Sequence, residues 1–268
     1  MKVKAKVVVV TGGASGIGRA LARRFAAEGA RTVVVADVDR EAAARVAQEI
    51  GPVAAAEVLD VADEGQLVAL IDDTEARWGP IDLFCSNAGI FAHEGLEASP
   101  ARWRRVLDVN FMSHIHATRH LVPRMVGRGG GYLLHTASAA GLLSQIGSVT
   151  YTVSKHAVVA LAEWIAITHG DDGIGVSVLC PQAVRTSMLT RGEGSVATVD
   201  GVIEPEEVAE AVIDALAEER FLVLPHPQVA EYARRKGEDR ERWIAGMQRL
   251  QKRYQVRDGG GGASPSLR

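Results

Sequence analysis

Tyr151 and Lys155 lie four residues apart in Tyr-Thr-Val-Ser-Lys, with Ser138 thirteen residues upstream. On a helix that spacing puts phenol and ammonium on one face, with Cβ atoms about 5–6 Å apart. A cation beside a phenol favours phenolate. The spacing therefore predicts that a group with a reference pKa of about 10 is drawn toward neutrality, where it can take or give a proton. An ordinary exposed helix pair has the same spelling, and an isolated serine such as Ser138, in Thr-Ala-Ser-Ala-Ala, usually caps a turn. What decides between these readings is the rest of the chain.

Thr11-Gly-Gly-Ala-Ser-Gly-Ile-Gly18 follows a four-valine run and opens a helical pattern from Ile17 to Gly29. Glycine is needed where a chain turns tightly, where backbone approaches a pyrophosphate, and where a helix packs closely on a strand. Unpaired N–H groups at the helix start then form an anion site. The Gly-x-x-x-Gly-x-Gly spacing makes Gly12, Ser15, Gly16, Ile17 and Gly18 candidate cofactor contacts. A flexible linker would not require this strand–turn–helix setting. Asp37 ends the second predicted strand, nineteen residues after Gly18. A carboxylate there accepts from both adenosine ribose hydroxyls and repels a 2′-phosphate. Val38 and Asp39 follow, so no cation adjoins it; Arg40 should point elsewhere from a helix start, which Asp39 is better placed to cap. NAD rather than NADP is the expected cofactor.

Short apolar runs alternate with helical patterns through most of the chain. Strands are expected over residues 6–10, 31–36, 53–59, 81–86, 131–136, 175–180 and 221–224, with helices near 17–29, 40–50, 64–78, 101–127, 151–169 and 205–219. Strands buried on both faces read as continuous apolar runs, as Val7–Val10 and Val33–Val35 do. This rhythm predicts an α/β fold: a Rossmann-type, doubly wound seven-stranded parallel sheet with helices on both faces, forming one domain over residues 1–225. Residues 187–204 are Gly-rich and aperiodic, in the position of a mobile lid. Residues 226–258 form a C-terminal helical extension, with one added helix over 228–254 and Tyr232, Trp243, Met247, Leu250 and Tyr254 as apolar contacts. The tail, 259–268, is expected to be disordered.

With 30 basic and 33 acidic residues, net charge is −3, so no global basic field attracts nucleic acid. Basic residues of the extension are interleaved with Glu and Asp. Cys85 and Cys180 end apolar runs and read as buried thiols in a reducing cytosol. No run approaches the roughly 18 apolar residues of a membrane span, and a cytoplasmic location is expected. None of the eight histidines has metal-ligand spacing; His114 and His116 fall on different helix faces. His93-Glu94 is the remaining group of chemical interest.

Together these motifs resemble the short-chain dehydrogenase/reductase family, in its short single-domain branch, over roughly residues 5–225. Asp60-Val61, after the third strand, is similar to the pair that contacts adenine. Ser86-Asn87-Ala88-Gly89 resembles the family's Asn-Asn-Ala-Gly element, with serine in its first, mostly structural position. Asn110 falls where the family places a catalytic asparagine, and Ser138, Tyr151 and Lys155 complete the implied tetrad. Pro181-Gln-Ala-Val184-Arg-Thr186 resembles the Pro-Gly-x-Val-x-Thr turn that holds the nicotinamide carboxamide, but Gln182 replaces its glycine.

The resemblance implies hydride transfer between a secondary alcohol or its ketone and a nicotinamide. Tyr151 would be the acid/base, and Lys155 would lower its pKa and hold ribose hydroxyls. Ser138 would position the substrate oxygen, and Asn110 would link Lys155 to solvent through its carbonyl and a water. The pocket is expected from 139–149, the segment after Ala88 and the lid, with Leu142, Leu143, Ile146 and Val149 apolar and Ser144, Gln145 and Gln182 polar. That favours a moderately hydrophobic alcohol or ketone as the small-molecule partner, with no nucleic-acid or membrane partner. A homotetramer or homodimer through helices 101–127 and 151–169 is implied; the C-terminal helix would pack there or cover a neighbour's pocket. Two alternatives are an NADPH-dependent carbonyl reductase and a non-catalytic nucleotide-sensing protein on the same fold.

Overall fold

The computed structural model describes residues 1–189 and 196–258, the last four without side chains. The segment 190–195 within the expected lid, and the expected disordered tail, lie outside the described residues. Seven strands, β1 (Val7–Thr11), β2 (Thr32–Asp37), β3 (Ala54–Val58), β4 (Leu83–Ser86), β5 (Gly131–Thr136), β6 (Ile174–Leu179) and β7 (Leu222–Val223), form one sheet in the order 3-2-1-4-5-6-7. All the pairings are parallel. The chain runs outward from β1 to β3 and then returns to lay β4 against β1's other side. That switch point opens a crevice beyond the strands' carboxyl ends.

The valine runs are explained by the two cores. Val7 and Val9 face a layer holding α3 (Glu64–Trp78), α5 (Ser113–Gly127) and α7 (Val149–His169). Val8 and Val10 face α1 (Gly16–Ala27), α2 (Arg40–Ile50) and α8 (Pro205–Ala217). Asp39 caps α2 by accepting from Ala42 N–H at 3.0 Å, as expected.

Three departures matter. The expected helix 101–127 is α4 (Pro100–Leu107) and α5, joined by a π-helical turn at Asp108–Met112 that carries Asn110. Its wide hydrogen bond runs from Ser113 N–H to the Asp108 carbonyl; such turns interrupt helices where a side chain must be re-aimed. A short helix, α6 (Ala139–Leu142), follows β5 and was not anticipated. The single C-terminal helix is instead two, α9 (Gln228–Glu238) and α10 (Arg240–Asp258). Asp239 is extended and its carboxylate accepts from Arg242 N–H at 2.9 Å, so it ends one helix and caps the next.

Candidate active site

A cavity of about 580 Å³ opens at the switch point. Its floor is the glycine loop. A Cβ on Gly18 would sit 2.0 Å from the Gly12 carbonyl oxygen, so helix and loop meet only because position 18 has no side chain. Gly12 adopts φ +63°, and a Cβ there would meet the Ala88 backbone at 2.9 Å. Ser15 precedes α1 in extended geometry, and its hydroxyl makes no capping bond. Gly12, Ser15, Gly16, Ile17 and Gly18 all line the cavity.

Asp37 lines the cavity from the end of β2. Its Oδ2 accepts from Ala14 N–H at 3.1 Å and its Oδ1 from Asp39 N–H at 3.1 Å, which locks the glycine loop to the second strand. Asp60 and Val61 are also on the wall, but Asp60 has a partner that the sequence does not announce. Arg105, on α4, places Nη1 3.1 Å from Asp60 Oδ2. The pair joins residues 45 apart in the chain, and Arg105 itself lines the cavity.

Asn87 ties three strands together. Its Nδ2 donates to the Thr11 carbonyl at 3.1 Å, its N–H donates to Thr11 Oγ1 at 2.9 Å, and its Oδ1 accepts from Thr136 Oγ1 at 3.1 Å. Ser86, the departure from the family element, is simply buried in β4. Ala88 and Gly89 continue the wall. Beyond them Phe91 packs edge-on against Tyr151, with ring centroids 5.0 Å apart. His93 is exposed against Phe91, and Glu94 is paired with Arg102 at 2.9 Å; neither lines the cavity.

Ser138, Tyr151 and Lys155 converge on the cavity, and α7 presents the last two on one face as the spacing predicts. Ser138 does cap a turn, since its Oγ accepts from Ala140 N–H at 3.1 Å. The same hydroxyl meets the Tyr151 phenol and lies 3.4 Å from the Pro181 carbonyl. Lys155 Nζ donates to the Thr136 carbonyl at 2.9 Å and lies 5.7 Å from the Tyr151 ring centroid. The expected fall in the phenol's pKa is not found. Burial raises Tyr151 above its ordinary value, against a smaller lowering by the Ser138 hydrogen bond. Burial also pushes Lys155 down to about 8. The ammonium donates to a carbonyl, and desolvation outweighs its effect on the phenol.

Asn110 is fully buried and stands behind the wall rather than in it. Its amide accepts from Ile90 N–H at 2.8 Å and donates to the Ile90 carbonyl at 2.9 Å and Ser154 Oγ at 3.2 Å. A Cβ added to Gly89 would lie 3.5 Å from both Asn110 Oδ1 and Lys155 Nζ, so the two approach one point.

Pro181, Val184 and Thr186 line the cavity with Gln182, and a parallel bridge pairs Val184 with Ile203. Of the expected apolar pocket residues only Leu143 reaches the wall; Leu142 packs into the core, and Ile146 and Val149 are not on the wall. Tyr232, Trp243, Met247 and Leu250, from α9 and α10, line this chain's own cavity. Among the described residues no group of three or more His, Cys, Asp or Glu could hold a metal. No described helix is long and apolar enough to cross a membrane.

The short chain dehydrogenase family model matches residues 6–194. The chain belongs to that family. It is therefore an enzyme of the oxidoreductase class. A 1-deoxy-11-beta-hydroxypentalenate dehydrogenase from Streptomyces exfoliatus is 39% identical over 233 residues, covering 82% of this chain and 83% of that protein. A meso-2,3-butanediol dehydrogenase from Serratia marcescens is 35% identical, covering 81% of this chain and 89% of that one. The crystal structure of a short chain dehydrogenase/reductase from Burkholderia phymatum in complex with NAD superposes with a TM-score of 0.83. That protein is 32% identical, and the match covers 90% of this chain and 96% of it.

Proposed function

We propose that this protein oxidises a secondary alcohol to its ketone, or runs the reverse reaction, with NAD and with Tyr151 as acid/base. The observation that carries this reading is the meeting of the Ser138 hydroxyl, the Tyr151 phenol and Lys155 on one cavity wall, with the glycine loop as its floor. The chain's residues fit a dinucleotide. Gly12 and Gly18 leave no room for side chains, the Ser15 hydroxyl is not spent on a cap, and the Asp37 carboxylate faces the cavity. Asp37 supports NAD over NADP, because it would repel a 2′-phosphate.

A bound nicotinamide supplies the hydride acceptor or donor. Ser138 Oγ holds the substrate oxygen near Tyr151, which is positioning chemistry. Tyr151 Oη takes the alcohol proton during oxidation and returns it during reduction. Because burial raises the phenol, the phenolate needs positive charge beside it, and Lys155 is the chain's own source. Asn110, carried on its π turn, bonds Ile90 and Ser154, the residue before Lys155, and so steadies the lysine's position. The cavity's apolar lining suits a moderately hydrophobic substrate, and we infer a homodimer or homotetramer through α5 and α7.

The test is Tyr151→Phe. Oxidation of secondary alcohols should fall at least about 10³-fold, within what proton transfer and positioning supply together, while NAD still raises the thermal midpoint. Retained turnover would disprove the acid/base role, and stronger stabilisation by NADP than by NAD would disprove the cofactor assignment.

A further inference from the structure

Gln182 stands where the family turn has glycine, yet its backbone is not in the left-handed region, so a side chain is carried there without strain. The residue is pinned on both sides. Its N–H donates to His226 Nδ1 at 3.2 Å. The carbonyl of Pro181, just before it, accepts from Ala139 N–H at 2.9 Å and lies 3.4 Å from Ser138 Oγ. The Gln182 amide thus springs from the turn that also holds the substrate-positioning serine, and it lines the same cavity.

Gln182 Oε1 is buried and accepts no hydrogen bond. A buried acceptor left in that state is costly. Much of the described wall is apolar, Leu143, Met188, Trp243, Met247 and Leu250 included. The cations on the described wall are engaged, Arg105 with Asp60 and Lys155 with the Thr136 carbonyl. Of the other amides on the described wall, Gln145 donates to the Ile146 carbonyl, and Asn87 donates to the Thr11 carbonyl and accepts from Thr136 Oγ1. Turning the amide about its last bond would bring this acceptor to the cavity, where a neutral hydrogen-bond donor on the ligand would satisfy it.

We propose that Gln182 determines specificity by accepting a hydrogen bond from a second hydroxyl on an otherwise apolar, ring-sized alcohol. Diols and hydroxyketones are then preferred to the corresponding mono-functional compounds. This rests on the alcohol–ketone reading of the same site. In the diol's oxidation one carbinol carbon loses hydride to the oxidised nicotinamide, its O–H proton passes to Tyr151, and C=O forms. The second hydroxyl is unchanged and only binds.

The experiment compares cyclohexanol with cis- and trans-cyclohexane-1,2-diol. In the wild type, kcat/KM for the better diol should exceed that for cyclohexanol by about tenfold or more, the size of one well-made hydrogen bond. Gln182→Met, of similar length without the acceptor, should bring the ratio near unity, mainly through KM. Gln182→Glu, which keeps acceptor oxygens, should retain the preference. A ratio unmoved by Gln182→Met, or no preference in the wild type, overturns the proposal and leaves ordered water as the amide's partner. Dissociation constants for both alcohols, read by ligand-observed NMR with NAD⁺ and Tyr151→Phe, with and without Gln182→Met, give a second measure independent of turnover. If the wild type oxidises neither alcohol, the alcohol reading fails and that binding ratio alone decides for or against Gln182.

Discussion

Burial acts on Tyr151 and Lys155 in opposite electrical senses, because each resists its charged form when water is removed. Lys155 is 3% exposed, and its folded-state pKa of about 8 lies below the ordinary 10.5. The sign of its effect on stability follows. Below pH 8 the lysine is charged in both states, and the folded protein bears the full desolvation cost. Between pH 8 and 10.5 the unfolded chain holds more protons, so stability rises with pH. Removing the titration should remove that gain. Urea unfolding of the ligand-free protein should show the wild type gaining on the order of 2 kcal/mol relative to Lys155→Met between about pH 8 and 10. The comparison cancels the opposite trends of Tyr151, Cys85 and Cys180, whose pKa values burial raises. Parallel curves would mean that Lys155 is better solvated than its position implies.

At the scale of elements, what can be read from the chain and what cannot are separated by locality. The glycine loop, the Asp39 cap and the Tyr151–Lys155 face depend on neighbours within a few residues, so their spelling carries them. The Arg105–Asp60 pair spans 45 residues, and nothing near either residue announces it. The π turn at Asn110 has no Gly or Pro to mark it; it exists because Asn110 must clamp Ile90. The break at Asp239 was legible in principle, since an Asp ahead of a helical run is a cap signal, but the basic periodicity on both sides masked it. Helix α7 leaves an apolar stripe in water: Val153, Trp164 and Ile167, with Ile167 83% exposed, beside Ala157 and Ala160. Large exposed apolar side chains in register on one helix mark an association surface. Replacing both Trp164 and Ile167 with Glu should convert an oligomer to monomers in light scattering while leaving the circular dichroism unchanged. A wild-type monomer, or a variant of unchanged mass, would remove α7 from the interface.

Across the whole molecule, the sheet's centre holds a polar pair unrelated to the cavity wall. His114, at the start of α5, and His135, on β5, are both buried, with Nδ1 atoms 2.9 Å apart and stacked rings. One Nδ1 must donate and the other accept, so the pair is stable only while both rings are neutral or share a single added proton. Both Nε2 atoms lack partners. Desolvation lowers His114 well below its ordinary value and brings His135 to about 4; the neighbouring ring and Lys155 lower His114 further. A depressed folded-state pKa contributes stability that is complete above the ordinary value of 6.5. It is lost as pH falls toward 4, because the unfolded chain then takes up protons that the core refuses. His135 alone should remove on the order of 2 kcal/mol between about pH 7.5 and 5. Acid sensitivity of the whole fold should therefore begin near pH 6.5, above the range of ordinary carboxylates. Urea midpoints measured against pH should show this slope in the wild type and a much flatter one when His114 and His135 are both replaced by leucine. Because the pair is removed together, no orphaned imidazole remains to confuse the comparison, and an equal slope in both proteins would place the acid response elsewhere.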